Sequence, residues 1–235
     1  TGVTDRGVTR PKEVSSFANM QLYVVAAAAV AAVAWLLRIV FVLRRRHSAQ
    51  PSGAPPVRTM VVLGSGGHTA EMLTLLQGLD FRTYGPREYV LATTDHTSAQ
   101  RVQTFENARQ AAGSAHLPYE FLRVPRSREV GQSYTSSVFS TLFAMLHAFV
   151  LVFRRQPSLL LCNGPGTCIP VCAAAVVLRM LGVKYVSIEY VESICRVQSI
   201  SLSGKILLHV ADHFLVQWPQ LVSKYPKARY IGRVS

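Results

Sequence analysis

Two glycine-rich loops hold the residues of this chain that could do chemistry. The first glycine loop (residues 64–68) joins the apolar run RTMVVL to a helical pattern and consists of Gly64, Ser65, Gly66, Gly67 and His68. Glycines at such a junction expose backbone N–H groups at a helix N-terminus, where a phosphate group binds well. Thr69 occupies the last glycine position of the dinucleotide pattern G-x-G-x-x-G, and no P-loop pattern is present. The loop predicts a phosphate site, with a tight turn that binds nothing as the alternative.

His68 and four carboxylates are the candidate catalytic residues. The imidazole of His68 could bond a phosphate or take a proton from an attacking hydroxyl group. Glu71 lies one turn further on and could act as an acid or base, or could only complement the helix dipole. Three other carboxylates follow predicted strands and could act as acids, bases or acceptors for sugar hydroxyl groups: Asp95, Glu189 and Glu192.

A second glycine-rich stretch, N-G-P-G-T, follows the apolar run LLLC and precedes another helical pattern. Because the carboxyl ends of parallel strands meet at one edge of a sheet, this second glycine loop (residues 163–167) is expected to border the same crevice as the first. The residues predicted to line the crevice are Asn163, Gly164, Gly166 and Thr167. Taken alone, the pattern also fits a simple turn.

Three arginines, Arg123, Arg126 and Arg128, follow the third predicted strand. Guanidinium groups bind phosphate through paired hydrogen bonds, so these side chains could join a phosphate site. The alternative is a solvated cationic loop. No basic stripe interleaved with aromatic residues appears, which disfavours nucleic acid as the partner of a chain with net charge +13. The four cysteines form no C-x-x-C pair, so reduced core thiols are expected and no metal site is predicted.

The elements that must position these loops alternate between short apolar runs and helical patterns. Strands are predicted near 57–63, 88–93, 119–124, 158–162, 184–189 and 213–217, and helices lie between them. This alternation is typical of βαβ units, which build a parallel sheet covered on both faces. The sequence therefore predicts one α/β domain over residues 57–235.

An apolar segment at residues 22–43 is long enough to span a bilayer. A cleavable signal peptide is the alternative, but the segment is long and follows a polar leader. The run Arg44, Arg45 and Arg46 places its carboxyl end in the cytosol by the positive-inside rule. We therefore predict a luminal leader at 1–21, one transmembrane helix at 22–43, and a basic and Pro/Gly-rich linker at 44–56.

Residues 134–153 form a second stretch without formal charge. If this stretch crossed the membrane, the two glycine loops would lie on opposite sides and could not share a site. A buried helix or a helix that grazes the membrane is therefore favoured, in keeping with its Ser, Thr and His content.

Several segments together resemble a known family: VVLGSGGHTAEM, RVPRSREVGQS, LLLCNGPGTCIP, SIEYVESICRV and ADHFLVQW with YIGRV. In this order they are similar to the membrane-anchoring subunit of the UDP-N-acetylglucosamine transferase of asparagine-linked glycosylation. The resemblance implies a Rossmann-like domain equivalent to the amino-terminal half of a B-type glycosyltransferase. It also implies transfer of N-acetylglucosamine from UDP-N-acetylglucosamine to N-acetylglucosaminyl-diphosphodolichol, the second such step of the pathway, on the cytosolic face of the endoplasmic reticulum.

The resemblance also implies roles for the motifs. The first glycine loop would cradle the acceptor diphosphate with Arg126 and Arg128 nearby, and the second would border the cleft. A separate soluble subunit would bind UDP-N-acetylglucosamine and complete the enzyme, so the chain alone is expected to be inactive. No cofactor is expected.

The soluble subunit is expected to dock around the segment HFLVQW and the residues Tyr230, Ile231, Gly232 and Val234. The alternative is that these residues only close the chain's own sheet. Two other functions remain open. One is a membrane scaffold that contributes no site residue, and the other is a nucleotide-dependent oxidoreductase in which Asp95 binds a ribose hydroxyl group.

Overall fold

The computed structural model describes residues 11–44, 56–112, 117–126, 134–164 and 166–234. It divides the chain into two compact units, Thr1–Arg45 and Arg46–Ser235. The first unit contains a long helix, and the second contains a parallel α/β sheet.

The helix of the first unit, α1, runs over Pro11–Arg44. Its most apolar part, Asn19–Val42, has a mean hydropathy of 2.4 and no buried side chains. Twenty-four residues rise about 36 Å at 1.5 Å each, which exceeds the roughly 30 Å of the hydrocarbon layer. The helix is therefore consistent with a single membrane anchor. It begins earlier than the predicted span, so residues 11–21 of the predicted leader are helical.

The described residues of the second unit form seven strands: β1 Thr59–Val62, β2 Arg87–Ala92, β3 Tyr119–Val124, β4 Leu159–Asn163, β5 Ser187–Val191, β6 His213–Val216 and β7 Ala228–Tyr230. These strands are all parallel and are ordered β3-β2-β1-β4-β5-β6-β7. The predicted fold class, a single Rossmann-like parallel-sheet domain, is confirmed.

Helices cover both faces of this sheet. They are α2 Gly67–Gln77, α3 His96–Ala111, α4 Tyr134–Arg155, α5 Cys168–Leu181, α6 Leu202–Leu207 and α7 Pro219–Lys224. Successive side chains of a strand point to opposite faces of the sheet, so the side chains at β1 alternate between two hydrophobic cores. Met60 and Val62 belong to the core that contains α4 and α5 residues, whereas Val61 and Leu63 pack with residues of α2 and α3.

Helix α4 belongs to the α/β unit and packs against α5. Its small side chains Ala144 and Ala148 are buried, together with Val152. The other face carries large apolar side chains that are 56–76% exposed. This α4 apolar face consists of Val138, Phe139, Leu142, Phe143 and Leu146. Although Val138–Arg155 is long and apolar enough to cross a membrane, the helix is part of the same core as α5.

Two strand predictions need correction. Strand β5 covers Ser187–Val191 rather than 184–189, so Glu189 lies within the strand and Glu192 directly follows it. Strand β7, Ala228–Tyr230, was not predicted. Its three residues include two exposed side chains, a pattern too short and too polar to indicate a strand.

Candidate functional site

The two glycine loops meet at the point where the strand order reverses. Strands β1 and β4 are neighbours, and the sheet continues from them in opposite directions to β2 and to β5. Ligands of open parallel sheets bind in the crevice at the carboxyl ends of such a strand pair. The first glycine loop follows β1 and the second follows β4, so both lie at this crevice.

The backbone of the first glycine loop takes a shape that favours glycine. Gly66 has φ 69° and ψ −121°, outside the regions that residues with a Cβ atom readily adopt. Thr69 donates a hydrogen bond to the carbonyl oxygen of Gly64, and Arg101 of α3 donates one to Gly66 at 2.9 Å. These contacts hold the loop while Ser65, Gly66 and Gly67 stay exposed at the N-terminus of α2.

Three polar side chains from both glycine loops and α2 form one connected network. His68 Nδ1 lies 2.9 Å from Asn163 Oδ1, and Asn163 Nδ2 donates to Glu71 Oε2 at 3.0 Å. Asn163 is fully buried. We refer to His68, Asn163 and Glu71 as the polar triad.

The backbone of Gly164 lies close against the imidazole ring of His68. Its φ is +66°, and a Cβ atom added there would lie 2.5 Å from His68 Nδ1 and 3.2 Å from Nε2. The ring therefore occupies space that any other residue type at position 164 would fill. Such close approach of a side chain to the backbone is a common reason for a glycine.

The segment after β5 completes the site. Glu71 Oε1 accepts hydrogen bonds from Ser193 Oγ at 2.8 Å and from the Ile194 backbone at 3.3 Å. Glu192 accepts from the Ser201 backbone and hydroxyl at 2.9 and 3.0 Å. Burial raises the pKa of Glu192, and these hydrogen bonds oppose that shift by stabilising the carboxylate.

The described residues line a cavity of about 310 Å³ that is open to solvent. It is lined by Gly67, His68, Glu71, Gly164, Glu192, Ser193, Cys195, Arg196 and Ser201. The cavity thus combines a helix N-terminus, an imidazole, two carboxylates and an exposed guanidinium group. This set can bind a phosphate-containing ligand and take up a proton from a hydroxyl group.

Not every predicted site residue lines the cavity. Asp95 caps α3, where Ser98 donates to its carboxylate from the backbone at 3.0 Å and from the hydroxyl at 2.7 Å. Glu189 pairs with His213 on the neighbouring strand at 2.7 Å. In the described part of the chain, neither carboxylate lines the cavity, and their candidate catalytic roles stay predictions without support from their surroundings.

Neither Arg123 nor Arg126 is among the described residues that line the cavity. Arg126 follows β3, which is separated from β1 by β2, and Arg128 lies outside the described residues. Gly166 and Thr167 precede α5 beside the cavity without lining it. The cations that the structure brings to the site are Arg101 and Arg196, neither of which was given a role from the sequence.

The predicted partner surface lies along the outer strand β7 and beyond it. Tyr230 and Ile231 are 51% and 39% exposed. The Val234 backbone donates to Gln217 Oε1 at 2.8 Å, and Gln217 donates in turn to the carbonyl oxygen of Glu192 at 3.1 Å. The segment that follows β7 is therefore connected to the cavity wall by two hydrogen bonds.

The thiols and acids of the described residues form no metal site, because no group of three or more His, Cys, Asp or Glu side chains could hold an ion. Cys162, Cys168 and Cys172 are buried in the core, whereas Cys195 is exposed and lines the cavity, so the expectation of a core thiol is wrong for Cys195. Burial raises the pKa of the Cys162 thiol.

The parallel sheet and its switch-point cavity define the class of protein as a Rossmann-like α/β fold, which resembles one half of a B-type glycosyltransferase. The crystal structure of Acinetobacter baumannii MurG superposes with a TM-score of 0.51 at 16% identity, over 75% of this chain and 44% of that one. The chain thus spans less than half the length of MurG, and the likeness at this identity concerns the fold.

The chain belongs to the family of Alg14-like oligosaccharide biosynthesis proteins, whose model matches residues 59–234. A human relative called UDP-N-acetylglucosamine transferase subunit ALG14 is 49% identical over 215 residues, covering 91% of this chain and 98% of the relative. The subunit of the same name from Schizosaccharomyces pombe is 40% identical over 209 residues, covering 87% and 97%. The family resemblance seen in the sequence is confirmed.

Proposed function

We propose that this chain is the membrane-anchoring, acceptor-side subunit of a two-subunit transferase. The enzyme moves N-acetylglucosamine from UDP-N-acetylglucosamine to N-acetylglucosaminyl-diphosphodolichol at the cytosolic face of the endoplasmic reticulum. The observation that carries the proposal is the switch-point cavity, which combines an exposed helix N-terminus with His68. The relatives are named UDP-N-acetylglucosamine transferase subunits, and this supports the reaction.

The first glycine loop is the proposed cradle of the acceptor diphosphate. Ser65, Gly66 and Gly67 present backbone N–H groups at the positive end of α2, and no described atom lies within 4 Å of a Cβ added at Gly66 or Gly67. That open space is what a diphosphate needs for close approach to the backbone. Arg196, which also lines the cavity, supplies an exposed positive charge.

His68 is the proposed general base. The acceptor hydroxyl oxygen attacks the anomeric carbon of UDP-N-acetylglucosamine and forms the new C–O bond. The bond between that carbon and the phosphate oxygen breaks, and UDP leaves with the electron pair. The hydroxyl proton passes to the imidazole of His68, which lines the cavity.

The donor-binding half is the proposed contribution of the soluble partner. The relatives of this chain are named as transferase subunits, so a second chain is expected to complete the cleft. The partner is proposed to dock on Tyr230, Ile231, Gly232 and Val234. These residues expose apolar surface and connect to the cavity wall through Gln217.

Membrane contact is proposed to have two parts. Helix α1 spans the bilayer once, with Arg44, Arg45 and Arg46 at its cytosolic end. The α4 apolar face lies in the head-group region, as amphipathic helices do when their apolar side chains enter the bilayer surface. Exposed Arg154 at the end of α4 can contact anionic lipid in this arrangement.

The proposed function is tested by reconstitution in lipid nanodiscs with a short-chain N-acetylglucosaminyl-diphospholipid and UDP-N-acetylglucosamine. We expect the disaccharide-lipid product, detected by chromatography, only when this chain and its soluble partner are both present. Product from the chain alone would contradict the two-subunit proposal. Product from the partner alone would indicate that this chain acts only as a membrane scaffold.

A pair of matched surface variants tests the docking surface in the same assay. Ile231→Asp should lose co-purification with the partner and the transferase activity, because a charge would replace an exposed apolar contact. Leu181→Asp, at a side chain of similar exposure (48% against 39%), should retain both. Equal co-purification of the two variants would contradict the proposed docking surface.

A further inference from the structure

The hydrogen bonds of the polar triad determine which way the Asn163 amide points. Asn163 lies between Glu71 Oε2 at 3.0 Å and His68 Nδ1 at 2.9 Å. An ionised carboxylate can only accept hydrogen bonds, so the NH₂ group of Asn163 must face Glu71. The amide oxygen of Asn163 must then face His68. Because that oxygen can only accept, Nδ1 of His68 carries the hydrogen.

The protonation of Nδ1 determines the state of the other ring nitrogen. A neutral imidazole has one N–H group, so Nε2 keeps a free lone pair when Nδ1 is protonated. None of the described residues makes a hydrogen bond to Nε2, and the ring lines the cavity. His68 therefore presents an unoccupied proton acceptor.

We propose that Glu71 is a positioning residue that selects, through Asn163, the His68 tautomer whose Nε2 can accept the proton of the acceptor hydroxyl. This inference rests on the proposed function, because the tautomer matters only if His68 takes up a proton. The other Glu71 oxygen, Oε1, is held by Ser193 Oγ and the Ile194 backbone at 2.8 and 3.3 Å. These contacts keep Oε2 directed at Asn163.

The isosteric variant Glu71→Gln isolates this role. The introduced glutamine can keep its oxygen on Ser193 and Ile194, which places its NH₂ group where Oε2 was. The Asn163 amide must then turn its oxygen towards the glutamine and its NH₂ group towards His68, and that favours the tautomer with a protonated Nε2. We expect kcat to fall about a hundredfold, at the low end of what general base catalysis contributes, with KM for both substrates little changed.

A reciprocal exchange provides the matched control. In Glu71→Gln/Asn163→Asp, the NH₂ group of the introduced glutamine donates to the introduced aspartate, whose carboxylate still accepts from His68 Nδ1. The double variant should therefore recover at least about tenfold in kcat over Glu71→Gln. Asn163→Asp alone should be poorly active, because two carboxylates would face each other at about 3 Å.

The measurements are kcat, KM and yield of partner-bound complex for the four proteins in nanodiscs. Recovery of kcat in the double variant at an unchanged yield of complex supports the tautomer role. Glu71→Gln still forms a hydrogen bond with Asn163, so a merely structural role of Glu71 would leave kcat of the single variant little changed. An unchanged kcat in Glu71→Gln, a double variant no better than the single one, or a loss of activity that only follows the loss of complex would each overturn it. A wild-type complex without transferase activity would overturn the proposed function and this inference together.

Discussion

Replacing Gly66 by valine should abolish transfer by the complex while the partner still binds. The backbone at Gly66 has φ 69° and ψ −121°, which a β-branched residue adopts only at a cost of roughly 1–3 kcal/mol. No described atom lies within 4 Å of an added Cβ, so the side chain would enter the open space proposed for the diphosphate. We expect activity to fall by at least about 10², the loss that accompanies removal of one anion-binding donor.

Gly78→Ala is the control for Gly66→Val, since Gly78 ends α2 with φ −79° and ψ −6°, a conformation open to alanine. Transfer rate, co-purification with the partner and thermal unfolding should be measured for both variants. Gly66→Val should lose activity at a nearly unchanged yield of complex, whereas Gly78→Ala should keep its activity. Retained activity in Gly66→Val would exclude the first glycine loop as the diphosphate cradle.

Replacing Gly164 by alanine should lower the transfer activity by a similar factor, but through displacement of His68. The added methyl group would lie 2.5 Å from His68 Nδ1, so the imidazole would have to move away from Asn163. The φ of +66° adds backbone strain for any residue but glycine. We expect kcat to fall by about 10² because the proposed base is displaced.

A double-mutant cycle distinguishes displacement of His68 from a general disturbance of the fold. If Gly164→Ala acts by displacing His68, the variant His68→Ala/Gly164→Ala should be no slower than His68→Ala alone. Gly166→Ala is a useful comparison, because no described atom lies within 4 Å of its added Cβ, and its effect should be smaller. Additive losses in the double variant would show that Gly164 supports the site without acting through His68.

The sheet and the glycine loops could be predicted because their signals are local. The run RTMVVL followed by glycines and a helical pattern lies within about fifteen consecutive residues, and the apolar span of α1 is equally continuous. The start of α1 at Pro11 was missed because hydropathy marks the part of a helix that can enter a membrane and not the polar turns before it.

The polar triad could not be predicted because its contacts join residues that are far apart in the chain. His68 and Asn163 are 95 positions apart, and Glu71 is 122 positions from Ser193. Nothing near Glu71 in the sequence distinguishes a half-buried hydrogen-bond acceptor from a surface residue at a helix N-terminus. Asp95 differs from these residues, because it caps α3 through Ser98, only three positions further along the chain.

The cations that the structure places at the site could not be predicted for a related reason. Arg126 and Arg128 lie close together in the sequence, but β2 separates β3, the strand that Arg126 follows, from β1. Arg101 reaches Gly66 from α3 across 35 positions, and Arg196 follows β5. The strand order determines which loops become neighbours, and no local sequence pattern predicts that order.

The central claim, that this chain holds the acceptor, is tested most directly by equilibrium binding to the membrane-embedded chain without its partner. We predict saturable binding of an N-acetylglucosaminyl-diphospholipid that Gly66→Val weakens and Gly78→Ala does not. UDP-N-acetylglucosamine should bind only after the soluble partner is added. Binding of UDP-N-acetylglucosamine to the isolated chain, or acceptor binding that is equal in the two glycine variants, would contradict the account.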